Sequence, residues 1–264
     1  MEKCKLIVAT HKESVLPTTP LYLPVLVGAE QNQLDLYTKD NTGEHISALN
    51  PLYSELTGLY WAWKNLEADY AGLVHYRRYF KSKAAHGKFQ VDTDLDEFVL
   101  QQDELTKLLA PQTVVVPTKR RYYIESLYSH YANTLNKEHL DMTRKIIEEY
   151  IPRYLHAYDT VMKQTSGYMF NMFIMSRENL DRYCEWLFPI LFELQKRLDM
   201  ENYSAFEARL FGRVSELLFN VWLHEQDLTI IEQPLLNLGD TNWLKKITAF
   251  LAAKFLGKKY TKSF

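Results

Sequence analysis

Short apolar runs of strand length alternate along this chain with longer stretches whose apolar residues recur every three or four positions. The runs are Lys5-Leu6-Ile7-Val8-Ala9-Thr10, Val25-Leu26-Val27-Gly28, Ala71-Gly72-Leu73-Val74, Thr113-Val114-Val115-Val116-Pro117 and Tyr168 to Met175, with Ile230-Ile231 as a short final one. Strands without a polar face are buried on both sides and need helices to cover them. A helix is predicted from Pro51, through Leu52, Leu56, Leu59, Tyr60 and Trp63, with Asn50 as its N-cap. Further helices are expected within 121–163, broken at Pro152, and over 177–198, 205–224 and Leu244 to Leu256. Pro17, Pro20 and Pro24 enforce irregular chain, and 81–98 reads as a polar loop. This alternation predicts an α/β fold, one domain with a mostly parallel central sheet flanked by helices. The expected division is a domain over 1–240 and a basic amphipathic tail over 241–264.

Charge sharpens that division. The 264 residues carry a formal net charge of −2. Six lysines and no acid lie between Trp243 and Phe264, which leaves 25 bases against 33 acids in the first 242 positions. Wholly basic nucleic-acid binders, with a pI above about 9, are excluded. A hydrophobic content of 47% with only 9 Gly and 9 Pro excludes disorder. No apolar run approaches the roughly 18 residues of a membrane span. Leu6 to Ala9 is too short for a signal peptide, and two isolated cysteines, Cys4 and Cys184, suit a reducing cytosol.

Several constellations bear on chemistry. His75-Tyr76-Arg77-Arg78 follows a buried strand directly, where α/β folds place ligands. Two guanidiniums and a histidine suit a diphosphate; the competing reading has one arginine in a structural salt bridge and the other in solvent. Thr10, His11 and Lys12 end the first strand, and Asp40 and Asn41 form a polar turn before the long helix, with phosphate or ribose contacts and ordinary turn roles both open. Asp92 and Asp94 form a D-x-D pattern able to hold Mg²⁺ or Mn²⁺, inside a polar loop that favours plain solvation. Glu207, Arg209, Arg213 and Glu216 share one helical segment, where a carboxylate can act as general base and i,i+3 pairing also explains the spacing. Asn171, polar within an apolar strand, needs a partner such as a substrate hydroxyl. Phosphate-loop, dinucleotide, zinc-protease and nucleophile-elbow patterns are absent.

Val8 to Lys12, Val27 to Ala29, Asp40 to Ser47, Glu55 to Asn65, Gly72 to Phe80, Asn171 to Met175, Tyr183 to Phe188 and the Arg209–Glu216 helix together resemble a bacterial family of capsular and exopolysaccharide glycosyltransferases, often catalogued only as a domain of unknown function. His45 departs from the family pattern, where Asn is more usual. The resemblance implies a GT-A-like fold and transfer of a hexose, galactose in pyranose or furanose form, from a UDP-sugar to a lipid-linked oligosaccharide. It implies that His75, Arg77 and Arg78 replace the usual D-x-D metal site, with no cofactor and Mg²⁺ or Mn²⁺ not favoured. Thr10, His11, Lys12, Asp40 and Asn41 would then surround the nucleotide, and Tyr168, Asn171 and Arg209 the acceptor. Glu207 is the first choice of base and Glu216 the second. The tail would bind the inner face of the plasma membrane from the cytoplasm, the competing reading being a helix packed on the domain with its lysines in water, and no nucleic-acid partner is expected. The rival readings are a metal-dependent transferase using Asp92 and Asp94, and a non-catalytic carbohydrate-binding assembly protein.

Overall fold

The computed structural model describes residues 3–35, 37–90 and 93–239. The expected tail and its helix, and Asp92 of the D-x-D pattern, lie outside these residues. The strands are β1 (Cys4–Thr10), β2 (Tyr22–Leu26), β3 (Thr38–Lys39), β4 (Tyr70–His75), β5 (Arg78–Phe80), β6 (Thr113–Pro117), β7 (Arg120–Arg121), β8 (Ser166–Gly167), β9 (Phe173–Ser176), β10 (Thr229–Gln233) and β11 (Leu235–Asn237). The helices are α1 (Asn50–Tyr53), α2 (Leu56–Asn65), α3 (Gln102–Thr106), α4 (Leu127–Thr134), α5 (Glu138–Tyr150), α6 (Leu155–Lys163), α7 (Arg177–Arg197), α8 (Ala205–Ala208) and α9 (Leu210–His224).

The main sheet runs β3-β2-β1-β4-β9-β6-β10. Its strands are parallel except β9, which is antiparallel to both β4 and β6. The α/β fold with a mostly parallel sheet is therefore the one expected. Side chains alternate strictly across it. Ile7, Ala9, Ala71, Leu73, Val114, Val116, Phe173 and Met175 enter a core under the helices, while Leu6, Val8, Val74, Val115 and Ile174 enter a second core with Tyr79, Phe80, Phe98 and Leu105. A period of two with both faces apolar is what a two-sided sheet requires.

Chain order reverses at β1. Its neighbour on one side is β2 and on the other β4, so the C-terminal ends of β1 and β4 form the switch point where open α/β sheets bind ligands. Gly72 makes this seam possible. A Cβ there would lie 2.5 Å from the Phe173 carbonyl oxygen and 2.7 Å from Leu6 Cδ2, so β4 fits between β1 and β9 only without a side chain.

Several boundaries differ from expectation. The helix predicted from Pro51 is two helices, because Ser54 adopts a left-handed φ of 53° between α1 and α2. Asn50 is not an N-cap; it is the first residue of α1, and its amide donates to the Ser54 carbonyl and to Thr57 Oγ1. The 205–224 helix likewise breaks at Arg209. The strand expected from Tyr168 begins only at Phe173, because Phe170 and Asn171 both have positive φ, 76° and 51°. Substituting Gly72 by Val should lower unfolding stability by about 3 kcal/mol or abolish folding, since the clash is with backbone. Urea denaturation measures it, and an unchanged midpoint would contradict the seam described here.

Candidate functional site

Side chains from distant parts of the chain gather at the C-terminal ends of β1 and β4. His75 ends β4, Tyr76 and Arg77 make a two-residue turn, and Arg78 opens β5, paired back with His75. The turn is anchored by Tyr76 N–H donating to the Ala9 carbonyl at 3.2 Å and Leu238 N–H to the Arg77 carbonyl at 2.9 Å. Consequently the two arginines diverge. Arg77 is exposed and stacks on the Tyr76 ring at 5.0 Å, on the β1 side. Arg78 is half-buried and stacks on Phe170 at 4.5 Å. Neither forms an ion pair among the described residues, so the salt-bridge alternative does not apply.

On the β1 side, Thr10 is fully buried and donates through Oγ1 to the Lys12 carbonyl at 2.7 Å, shaping the turn. His11 packs edge-on against Tyr76 at 5.3 Å, with Lys12 Nζ 5.5 Å from the same ring. The His11 pKa is lowered by burial and then by Lys12, Arg209 and Arg77, three cations from three segments. Arg209 is held by its Nε donating to Ser54 Oγ at 3.0 Å, which uses the left-handed break in the α1–α2 segment.

On the other side lies a network around the Phe170–Asn171 turn. His75 Nε2 meets the Phe170 carbonyl, which only accepts, so this nitrogen carries the proton. Burial lowers the His75 pKa, Glu55 opposes that, and Arg78 and Arg77 add to it. The Asn171 amide donates to Glu55 Oε1 at 2.7 Å and to the Gly212 carbonyl at 2.8 Å, while its carbonyl accepts from Ser215 Oγ at 2.9 Å. Glu216, half-buried on α9, accepts from the Phe170 N–H. Burial and then the neighbouring Glu55 push its carboxyl up to about 7, against the Phe170 N–H, Arg120 and Arg78. Arg213 stacks on Phe206 at 3.9 Å with its buried Nη1 unpaired among the described residues.

Some sequence-predicted residues are not brought into this array. Asp40 is fully buried and accepts from Gly28 N–H at 2.9 Å, Ala29 N–H at 3.0 Å and Ser47 Oγ, so it fixes the loop after β2 and does not face a ribose. Asn41 follows it, half-buried. Asn171 has protein partners throughout, so it positions Glu55 and α9 and leaves no amide donor for an acceptor sugar. Glu207 accepts from Ser204 N–H at 3.0 Å and Ser204 Oγ at 2.7 Å, a capping box on α8. Tyr168 is buried, its hydroxyl donating to Glu232 Oε1 at 3.2 Å. Asp94 caps a short turn by accepting from Asp96 N–H at 3.0 Å.

Sequence reasoning missed Glu55 and Arg120. Glu55 is the N-cap of α2 and looks like any polar helix-start residue; only the Asn171 contact, 116 positions away, reveals it. Arg120 gives no local signal and acts on Glu216 through space.

The solved apo structure of WbbM, a bifunctional glycosyltransferase, is similar to this one with a TM-score of 0.82 at 28% sequence identity, over 90% of this chain and 46% of WbbM. Fold and site thus define the class: an α/β protein of glycosyltransferase architecture with a cationic array at its switch point. More particularly, the chain belongs to the family described as Domain of unknown function (DUF4422), which it matches over residues 5–227. The chain spans less than half of WbbM's length. No curated protein matches the sequence.

A carboxyl raised from an unfolded value near 4.3 to about 7 takes up a proton on folding, so its contribution favours the fold at low pH and is lost as pH rises through 7. Glu216→Gln should therefore raise the melting temperature at pH 8 and change it little at pH 5. Equal shifts at both pH values in calorimetry would contradict the raised pKa.

Proposed function

We propose that the protein is a glycosyltransferase that takes a hexose from a nucleotide-diphosphate sugar. UDP-galactose, pyranose or furanose, is the first choice of donor and a lipid-linked oligosaccharide the acceptor. One observation carries this reading: Lys12, Arg77, Arg78 and Arg209, none in an ion pair among the described residues, stand at the switch point, with Arg78 beside the Glu216 carboxyl, which is raised to about 7. The likeness to WbbM supports it.

In this reading the diphosphate rests between the β1 and β4 ends, with Arg77 and Lys12 on one side and Arg78 on the other. An acceptor hydroxyl gives its proton to the Glu216 carboxylate, and its oxygen attacks the anomeric carbon. The bond from that carbon to the β-phosphate oxygen breaks, and the charge left on the nucleotide is met by the guanidiniums. A general base works best with a pKa near the working pH, and the negative charge of Glu55 supplies part of that shift. Glu216 takes this role in preference to Glu207, whose carboxylate accepts both Ser204 donors. Fixed cations do the work a Mg²⁺ or Mn²⁺ ion does elsewhere, so turnover is metal-independent. The six lysines between Trp243 and Phe264 suit an acceptor held at an anionic membrane surface on the cytoplasmic side.

Calorimetry with UDP tests the donor site: the unmodified chain should bind, and Arg77→Ala/Arg78→Ala should lose at least tenfold in affinity. A chain that binds oligosaccharide and not UDP is the carbohydrate-binding protein of the rival reading. Turnover should survive EDTA, whereas abolition by EDTA supports a metal site at Asp92 and Asp94. With a base of pKa about 7, activity should climb as pH rises from 6 to 8. Glu216→Gln should cost roughly 10²- to 10⁴-fold in kcat and remove that pH limb. An unaltered pH profile in the variant rules Glu216 out as base.

A further inference from the structure

Segment 118–126 follows the C-terminal end of β6, at the same edge of the sheet as the array, since β1, β4 and β6 all run in one direction. Its tip presents two large apolar side chains to water, Tyr123 at 81% and Ile124 at 61% exposure. Val15, 56% exposed, lies in the loop after β1 and so at this edge too. Three successive cations flank the tip. Lys119 lies over the Tyr168 ring at 4.8 Å, Arg120 over Tyr122 at 5.1 Å, and Arg121 is exposed. None of the three is in an ion pair among the described residues.

The protrusion is built, not loose. Arg120 and Arg121 pair with Gly167 and Ser166, and Tyr122 N–H donates to the Thr165 carbonyl at 2.8 Å. Beneath it Tyr122 is buried against the His130 ring at 4.1 Å. Glu125, also buried, accepts from His130 Nδ1 at 2.9 Å and Asn133 Nδ2 at 2.8 Å. Ser126 caps α4. On this base Tyr123 is held at φ 56°, a conformation bulky residues avoid. Tyr122 and Glu125, on either side of the Tyr123–Ile124 tip, are buried.

We propose that the 118–126 protrusion is a membrane-docking element, which inserts Tyr123 and Ile124 into the headgroup layer of an anionic bilayer while Lys119, Arg120 and Arg121 meet lipid phosphates. Apolar tip and flanking cations match the two layers of such a surface in order of depth. A soluble polyanion would engage the cations and leave Ile124 in water. The evidence for this element is separate from that for the donor site, although a membrane-held acceptor gives it a purpose: Arg120 lies near Arg78 and Glu216, so docking would bring the array to the lipid surface.

The test uses the full chain carrying Ile124→Cys labelled with a polarity-sensitive fluorophore; the native Cys4 and Cys184 are buried and resist labelling. Phosphatidylcholine vesicles containing phosphatidylglycerol should blue-shift the label and allow quenching by brominated lipid, and pure phosphatidylcholine should do neither. In unlabelled protein, Tyr123→Ser/Ile124→Ser and Arg121→Glu should each lower partition to anionic vesicles about tenfold or more. UDP affinity in solution should be unchanged by both. A label that stays water-like while the chain co-sediments with anionic vesicles overturns the proposal and passes membrane binding to another segment. Failure of the unmodified chain to co-sediment overturns it outright. Loss of UDP binding in the unmodified chain would instead sink the donor-site reading alone.

Discussion

Two consecutive residues in left-handed conformation, Phe170 and Asn171, hold this structure's site together. Each such residue costs on the order of 1–3 kcal/mol and persists only where its surroundings over-determine it. Here they do. His75 from β4, Glu55 from the start of α2, and Gly212, Ser215 and Glu216 from α9 all bond to these two residues. The turn sends the chain into β9 against the direction of its neighbours, and it fixes how far apart the Glu55 and Glu216 carboxylates stand. It ties α9 to the sheet beside the two hydrogen bonds that Asn220 exchanges with the Tyr168 backbone.

The same turn sets the electrostatics. Burial on α9, with the neighbouring Glu55 adding to it, raises the Glu216 carboxyl to about 7. Across from them the guanidiniums stack on aromatic faces, Arg77 on Tyr76 and Arg78 on Phe170. Cation–π contact steadies a guanidinium without neutralising it. The array is thus locally cationic, although the whole chain is slightly acidic.

Much of the fold was legible because it follows from local pattern. The runs at 5–10, 71–74 and 113–117 became β1, β4 and β6, since strands buried on both faces leave a continuous apolar signature. The segments at 177–198 and 205–224 became α7, and α8 with α9. What sequence could not show were the breaks, since a left-handed serine or phenylalanine carries no compositional mark. The site was half legible. His75, Arg77 and Arg78 stand at a strand end, a position that sequence reveals. Asn171 was correctly read as a polar group needing a partner, but that partner is Glu55, and a contact over 116 positions leaves no trace in a window of neighbours. Asp40 illustrates the reverse. Its carboxylate takes an ordinary turn role, accepting two hydrogen bonds from the loop after β2 and one from Ser47.

The partners of the Phe170–Asn171 turn are separated from it by 41, 44, 95 and 116 positions. Loops of that length must close before any of these bonds forms, and the entropy of closure is lost before the bonds repay it. The two unfavourable backbone angles are thus tolerable only where β4, the start of α2 and α9 all reach the turn. During synthesis the turn at Phe170 and Asn171 emerges before Gly212, Ser215 and Glu216, the α9 groups that bond to it. The array is in that sense a property of the assembled fold, drawn from segments more than a hundred positions apart.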